Sequence, residues 1–249
     1  MKSILGLNKN QLLALQPSDI TWIFSAAELV YLIRTLEAFW SFDYEAATQG
    51  IFGLHAELKS GLHSDGFIIS RIFLAYPNIR MILAQQIVWR MEESGIRKPK
   101  YIAGIPDGAT GLGNDVRKLC GAKEAILEKV DGRLIMRTIL DPSSDIGLIE
   151  DFSTRGTGLI EAVTDIYKKN PTVRFVPYVF EIINRGGLES INIPEFGDFK
   201  ILPIANHRIE DWQPKECPLC MMGSKPIKPK ATDENWRAIT TSQLIAPIT

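Results

Sequence analysis

The stretch that decides the fold is LIEDFSTRGTG, residues 148–158. Apolar residues typical of a buried strand are followed by two adjacent acids, Glu150 and Asp151. A short loop rich in hydroxyl groups and glycine then leads into a helix predicted over about 157–169. Free backbone N–H groups and the positive end of the helix dipole make such a loop a site for phosphate.

The side chains of this stretch suit a ligand that carries more than phosphate. Ser153, Thr154 and Thr157 add hydroxyl donors to the loop. Two carboxylates beside a phosphate would repel it, so we expect the acids to face sugar hydroxyls or a hydrated Mg²⁺ ion. The alternative is an ordinary helix start with acids on the surface.

Other segments predict further units of strand, loop and helix. Residues 101–105 form a short apolar run that ends at Pro106-Asp107-Gly108, and a helix follows to about residue 119. Further strands are predicted over 174–183 and 199–204. Repeated units of this kind indicate an α/β fold with a largely parallel central sheet and ligand loops at the carboxyl ends of the strands.

The remaining segments predict the organisation of the chain. Asp131-Gly132, flanked by the segments 123–130 and 133–139, is typical of a tight hairpin. One or two helices are predicted over 18–48, and another over 78–94. We therefore divide the chain into an N-terminal helical extension (1–50), a central domain (51–212) and a Pro- and Lys-rich tail (213–249), either extended over a folded surface or disordered.

Composition excludes several classes of protein. The 249 residues include 28 Lys and Arg against 29 Asp and Glu, a net charge of −1, which argues against a protein that coats nucleic acid. Residues 20–42 are apolar but carry three charges, so we expect a buried helix and no membrane contact. Three cysteines and no apolar stretch in the first 15 residues favour a reducing compartment, the cytoplasm.

Residues 150–158 resemble the phosphoribosyl pyrophosphate (PRPP) signature of type I phosphoribosyltransferases, although Gly158 stands where Thr or Ser is usual. Lys59-Ser60-Gly61 and the segment 64–67 are similar to the early substrate segment of orotate phosphoribosyltransferases. Residues 103–109 resemble their pyrophosphate loop, and 184–187 the position of an arginine that pairs with the orotate carboxylate.

The resemblance implies a fold, a reaction and a homodimer. The fold is a mainly parallel sheet flanked by helices, and the reaction transfers the phosphoribosyl group of PRPP to orotate with Mg²⁺. The PRPP contacts it implies are Asp107, Gly108, Glu150, Asp151, Ser153, Thr154, Arg155, Gly156, Thr157 and Gly158. The base contacts are Lys59, Ser60, Phe67 and Arg185, and Glu150 and Asp151 hold Mg²⁺ indirectly.

The catalytic loop of the resembled family corresponds here to the hairpin around Asp131, where Lys129 and Asp131 are the candidate catalytic residues. A plain hairpin is the competing interpretation. Arg185 and Lys59 also have ordinary alternatives, a surface arginine in a turn and a solvated loop lysine. Two other functions therefore stay open: transfer to a purine or another heterocycle, and a PRPP-binding regulator without turnover.

Cys217 and Cys220 have the Cys-x-x-Cys spacing of half a zinc site. A tetrahedral site needs two more ligands, and the chain has no second cysteine pair. The two residues are therefore candidate zinc ligands, and a site shared between subunits, a redox pair and two unrelated thiols are the alternatives.

Overall fold

A computed structural model describes residues 2–153 and 155–244. Within these residues the helices are α1 (Lys9–Ala14), α2 (Ala26–Thr35), α3 (Tyr44–Thr48), α4 (Ser70–Leu74), α5 (Pro77–Glu93), α6 (Thr110–Cys120), α7 (Thr157–Lys169), α8 (Pro218–Met222) and α9 (Asp233–Thr241), with 3₁₀ turns at Pro17–Asp19 and Pro214–Glu216. None of these helices is both long enough and apolar enough to cross a membrane.

The strands of the same residues are β1 (Phe39–Ser41), β2 (Leu54–Glu57), β3 (His63–Ser64), β4 (Gly66–Ile68), β5 (Tyr101–Gly104), β6 (Lys123–Glu124), β7 (Leu127–Val130), β8 (Arg133–Met136), β9 (Asp145–Ser153), β10 (Arg174–Asn184), β11 (Ser190–Ile193), β12 (Gly197–Asn206), β13 (Asp211–Trp212) and β14 (Lys225–Ile227). Contacts between residues divide the chain into two units, whereas the sequence predicted three segments with boundaries at residues 50 and 212. Among the described residues, one unit comprises 2–35 and 70–208, and the other comprises 36–69 and 209–244.

The first unit is built on a six-stranded sheet with the order β11-β12-β10-β9-β5-β6. All neighbouring pairs are parallel except β11 with β12. Alternate residues of β9, including Ile146 and Leu148, pack in one apolar cluster with the buried side chains of α7. The predicted α/β class, with a mainly parallel central sheet and flanking helices, is confirmed.

Local predictions in this unit were close to the structure. α5 matches the helix predicted over 78–94 to within one residue at each end. The run 123–130 is divided: β6 joins the main sheet, whereas β7 pairs with β8 around the Asp131-Gly132 turn. Asp131 (φ +49°) and Gly132 (φ +80°) both have left-handed backbone conformations, as a two-residue hairpin turn requires.

The second unit is formed by two stretches that are distant in sequence. Its four-stranded sheet has the order β13-β3-β2-β14, and β1 pairs with β4. Trp40, Phe42, Ala56, Leu219 and Ile239 are among the buried residues of its apolar cluster. In this sheet β2 and β14 are parallel neighbours, although about 170 residues separate them in the sequence.

Two sequence predictions differ from the structure here. The helical region predicted over 18–48 is interrupted after α2, because Glu37 has a positive φ of 59° and the aromatic residues beyond it form β1. The predicted tail is folded as far as it is described, to residue 244. Its apolar residues supply part of the buried cluster of this unit, so the segment forms α8, β14 and α9 instead of an extended tail.

Candidate active site

Acidic residues gather at the carboxyl ends of β9 and β10. The two strands are parallel, and Glu150 on β9 lies directly opposite Glu181 on β10. Ser153 ends β9 opposite Asn184. The fold therefore brings the predicted PRPP signature to the sheet edge where parallel α/β proteins bind ligands.

Glu150 points towards the start of α7. Its Oε2 atom lies 3.0 Å from the place that a Cβ atom would occupy at Gly158. Burial raises the pKa of Glu150 well above its usual range, and the neighbouring Asp151 carboxylate raises it further. The absence of a side chain at position 158, which departs from the family pattern, thus leaves room for the carboxylate of Glu150.

Asp151 lies against the loop that follows β5. A Cβ atom at Gly108 would overlap Asp151 Oδ2 and lie 2.5 Å from Asp151 Cγ, so only glycine fits there without a rearrangement. The loop is tied to β9 by a 2.8 Å hydrogen bond from the Ile105 N–H to the Ile149 carbonyl. The Pro106–Asp107 peptide bond is cis. The predicted pyrophosphate loop and the predicted ribose acids are therefore direct neighbours.

The loop between β9 and α7 leaves backbone donors for an anion. Gly156 precedes α7 in a left-handed conformation (φ +73°), and the first helical turn has no acidic residue. The N–H of Ile160 donates to the Gly156 carbonyl at 3.0 Å, and the amides of residues 157–159 precede that first helical bond. Ser153 Oγ is buried and has no hydrogen-bond partner among the described residues. This arrangement suits a phosphate group.

The other predicted PRPP contacts differ in exposure. Arg155, Thr157 and Asp107 are exposed, and Gly108 is half-buried. Thr154 lies outside the described residues.

Glu181 lies opposite Glu150 and was not among the residues predicted from the sequence. Its side chain is fully buried, and neither carboxylate oxygen has a hydrogen-bond partner among the described residues. Burial raises its pKa to about 8, although the nearby hydroxyl and amide of Ser153 lower it, and the charge of Asp151 adds a smaller upward shift. A single acid in the apolar run 179–183 was the signal that could have revealed it. Carboxylate oxygens without partners fit a hard cation such as Mg²⁺.

The predicted base contacts are divided between the two units. Arg185 directly follows β10 in the first unit and is buried, with 9% of its surface exposed. The turn after it is held by Asn184, whose amide donates to the Leu188 carbonyl at 2.7 Å. Its burial at the carboxyl end of β10 argues against an ordinary surface arginine.

Lys59, Ser60 and Phe67 belong to the second unit. Lys59 and Ser60 are exposed in the turn between β2 and β3. Phe67 is half-buried in β4, where its ring lies 6.4 Å from that of Trp236. Their contact with a base therefore stays a prediction.

Lys129 and Asp131 are exposed on the β7–β8 hairpin. The tight turn predicted there is confirmed, whereas their catalytic role stays a prediction. Cys217 and Cys220 lie in the second unit at the start of α8 and within it, beside His55 and His63.

Comparison with known proteins gives a consistent set of relatives. An orotate phosphoribosyltransferase of Nitratiruptor sp. is 26% identical over 185 residues, which cover 70% of this chain and 90% of that protein. The orotate phosphoribosyltransferase of Acidithiobacillus ferrooxidans is 24% identical over 177 residues, covering 70% of this chain and 87% of its own. No protein-family model matches the chain.

Solved structures show the same fold. Orotate phosphoribosyltransferase from Aeropyrum pernix superposes with a TM-score of 0.54 at 12% identity, covering 72% of this chain and 93% of its own. UMP synthase from Leishmania donovani gives a TM-score of 0.56 at 15% identity. That match covers 76% of this chain but 38% of the longer protein.

These findings confirm the resemblance to type I phosphoribosyltransferases, and with it the predicted fold class and the predicted enzyme class, a pentosyltransferase. Within that class, the two relatives by sequence are both named orotate phosphoribosyltransferase.

Proposed function

We propose that the protein transfers the 5-phosphoribosyl group of PRPP to orotate, releasing pyrophosphate and forming orotidine 5′-monophosphate. The observation that carries this proposal is the close packing of Asp151 against Gly108, beside the helix start that Glu150 contacts. One ligand with a 5′-phosphate, a ribose and a pyrophosphate would meet all three features. The relatives named orotate phosphoribosyltransferase favour orotate as the base.

Each part of PRPP has residues of suitable chemistry. The 5′-phosphate is bound by the amides and hydroxyls of 153–158, and the ribose hydroxyls by Glu150 and Asp151. The pyrophosphate lies against Asp107 and Gly108. In the reaction, the bond from ribose C1 to pyrophosphate breaks and a bond from C1 to a base nitrogen forms.

Magnesium fits the acidic end of this site. Glu150 and Asp151 would hold the ion through its water shell, because Mg²⁺ prefers oxygen ligands and retains several waters. When bound, it supplies positive charge that stabilises the departing pyrophosphate. The protein itself positions the sugar and the base, and positioning is the main requirement because the base is already anionic.

Arg185 and Lys59 are proposed to orient the base, with Ser60 and Phe67 as further contacts. A guanidinium group binds a carboxylate through two parallel hydrogen bonds, which a lysine cannot do. Lys129 and Asp131 are proposed as catalytic residues of the hairpin, with the lysine stabilising the leaving group. The homodimer and the cytoplasmic location implied by the resemblance stay predictions.

Incubation of the protein with PRPP, Mg²⁺ and a panel of bases tests the proposal. We expect orotate absorbance to fall and pyrophosphate to appear, and adenine, hypoxanthine and uracil to give no product. Pyrophosphate release with a purine alone would replace orotate by that base. PRPP binding in calorimetry without product from any base would indicate the non-catalytic regulator.

Arg185→Ala separates the two enzymatic alternatives. If Arg185 pairs with the orotate carboxylate, its loss should cost about 2 kcal/mol or more, so that KM for orotate rises roughly 30-fold. KM for PRPP should change less than threefold. Arg174→Ala, an exposed arginine at the other end of β10, is the matched control. An unchanged KM for the base in Arg185→Ala would favour a base without a carboxylate.

A further inference from the structure

Four side chains that can bind a transition metal meet in the second unit. They are His55 on β2, His63 on β3, Cys217 immediately before α8, and Cys220 within α8. One ligand atom of each lies within 4.8 Å of all the others. His55 and Cys217 are fully buried, His63 is 6% exposed and Cys220 is partly exposed.

Four of the six distances between these atoms are close to those around a tetrahedral zinc ion, and all six are within 4.8 Å. Zn–N bonds of about 2.0 Å and Zn–S bonds of about 2.3 Å place two nitrogens roughly 3.3 Å apart, and a nitrogen and a sulfur roughly 3.5 Å apart. His55 Nε2 lies 3.0 Å from His63 Nδ1, 3.5 Å from Cys220 Sγ and 3.7 Å from Cys217 Sγ. Cys220 Sγ lies 3.3 Å from His63 Nδ1.

A hydrogen bond sets the tautomer of His55. The Ser224 hydroxyl donates to the Gly53 carbonyl at 3.2 Å, and the same oxygen lies 2.9 Å from His55 Nδ1. Ser224 therefore accepts the Nδ1 proton of His55, which leaves a lone pair on Nε2. Partners of this kind orient histidines that ligate metals.

Hydrogen bonding alone does not account for the cluster. His55 Nε2 has one lone pair and can accept one good hydrogen bond, yet His63 Nδ1, Cys217 Sγ and Cys220 Sγ all converge on it. One ion at the centre would use all four groups at once. Two thiolates, two neutral imidazoles and Zn²⁺ also sum to zero charge, which suits a buried position.

We propose that His55, His63, Cys217 and Cys220 bind one structural zinc ion. Four protein ligands complete a tetrahedron and leave no open position, which is typical of structural sites and not of catalytic ones. The ion would join two stretches more than 150 residues apart in sequence, each contributing one pair of ligands. The Cys-x-x-Cys pair is thus completed within the chain, without a second subunit, and the site is independent of the base that the enzyme uses.

Emission spectrometry of the purified full-length protein tests the site. We expect about one zinc per chain in the unaltered protein and in the control Cys120→Ser, whose thiol lies in α6 of the first unit. Cys217→Ser and His63→Gln should each retain less than about a tenth of an equivalent. Cobalt in place of zinc should give the intense visible and near-ultraviolet bands of a tetrahedral ion with two thiolate ligands.

If the variants fail to fold, the cobalt spectrum still tests the site, because it is recorded on the unaltered protein. The proposal is wrong if that protein holds less than a tenth of an equivalent of zinc after incubation with zinc and desalting. It is equally wrong if cobalt binds without thiolate bands, or if Cys217→Ser and His63→Gln fold and keep a full equivalent. None of these readouts depends on phosphoribosyl transfer, so failure here is distinguishable from failure of the proposed reaction.

Discussion

The acids of the first unit and the His/Cys cluster of the second unit are two different ways of bringing together side chains that can bind a metal ion. Glu150, Asp151 and Glu181 are hard oxygen donors at the ends of parallel strands. His55, His63, Cys217 and Cys220 are softer nitrogen and sulfur donors on short strands and a helix start. Oxygen donors favour Mg²⁺, and imidazole with thiolate favours zinc.

The two groups also differ in the interactions that their side chains already make. Burial raises the pKa of Glu150 and of Glu181, and neither oxygen of Glu181 has a hydrogen-bond partner among the described residues. Ionisation of these acids is unfavourable without a cation or sugar hydroxyls nearby. This suits the proposed function, in which the ligand of these acids exchanges at every turnover. The His/Cys cluster has four groups that can bind a metal and a hydrogen-bonded imidazole, so the proposed zinc ion would complete it.

The sharpest test of this contrast is Asp151→Asn. Loss of the carboxylate removes a positioned group at the reacting sugar, so we expect kcat/KM for PRPP to fall about 10²- to 10³-fold. Zinc content should stay at the level of the unaltered protein. Asp198→Asn, exposed on β12, is the matched control and should retain full activity. Activity within threefold of normal for Asp151→Asn would show that the acids are not functional.

Gly108→Ala tests whether the acids and the pyrophosphate loop act as one site. The added methyl group would overlap Asp151 Oδ2, and displacing reacting groups by about 1 Å can cost 10²-fold in rate. We expect a loss of roughly 10- to 100-fold in kcat. Gly111→Ala is the control, because its Cβ atom would meet only the flexible side chain of Arg80, at 3.3 Å. Equal activities of the two variants would contradict the proposed role of the contact.

Glu181→Gln measures how much ionisation of the buried Glu181 carboxyl lowers the free energy of unfolding. The pKa of Glu181 is about 8 in the folded protein against 4.5 as a reference for the unfolded chain. Between these values the folded state holds a proton that the unfolded state has lost, so the stability of the unaltered protein falls as pH rises. Gln cannot ionise, so the variant should gain about 1–3 kcal/mol over the unaltered protein between pH 5 and pH 8.

Urea unfolding without Mg²⁺ or PRPP provides this measurement. Glu189→Gln, an exposed residue just beyond β10, should show no such gain. A difference between Glu181→Gln and the unaltered protein that does not change with pH would mean that Glu181 keeps an ordinary pKa.

The sequence predicted the first unit better than the second because its signals are local. The run into Glu150 and Asp151 and the Asp131-Gly132 turn each identify their element within a few residues. Glu181 was missed because its importance depends on facing Glu150 across two strands, a relation that only the register of the sheet reveals.

The second unit depends on pairing between distant stretches, which no local pattern shows. β14 lies beside β2, and the histidines meet the cysteines across more than 150 residues. The Cys-x-x-Cys spacing identified half of the proposed ligand set, whereas no local spacing links His55 and His63 to the two cysteines. The Pro and Lys content of the tail predicted an extended or disordered chain, although its buried residues Cys217, Leu219 and Ile239 belong to a core.

The smallest expected effect concerns the departure from the family pattern at Gly158. Restoring a hydroxyl with Gly158→Ser would place Cβ 3.0 Å from Glu150 Oε2 and 3.6 Å from Ile105 Cγ2, so the carboxylate must move slightly. We expect KM for PRPP to rise about threefold, an effect below 1 kcal/mol. Gly158→Ala should behave in the same way, because the cause is the Cβ atom and not the hydroxyl. A lower KM for the serine variant alone would instead mean that the acid cluster tolerates a side chain there and that the missing hydroxyl weakens phosphate binding.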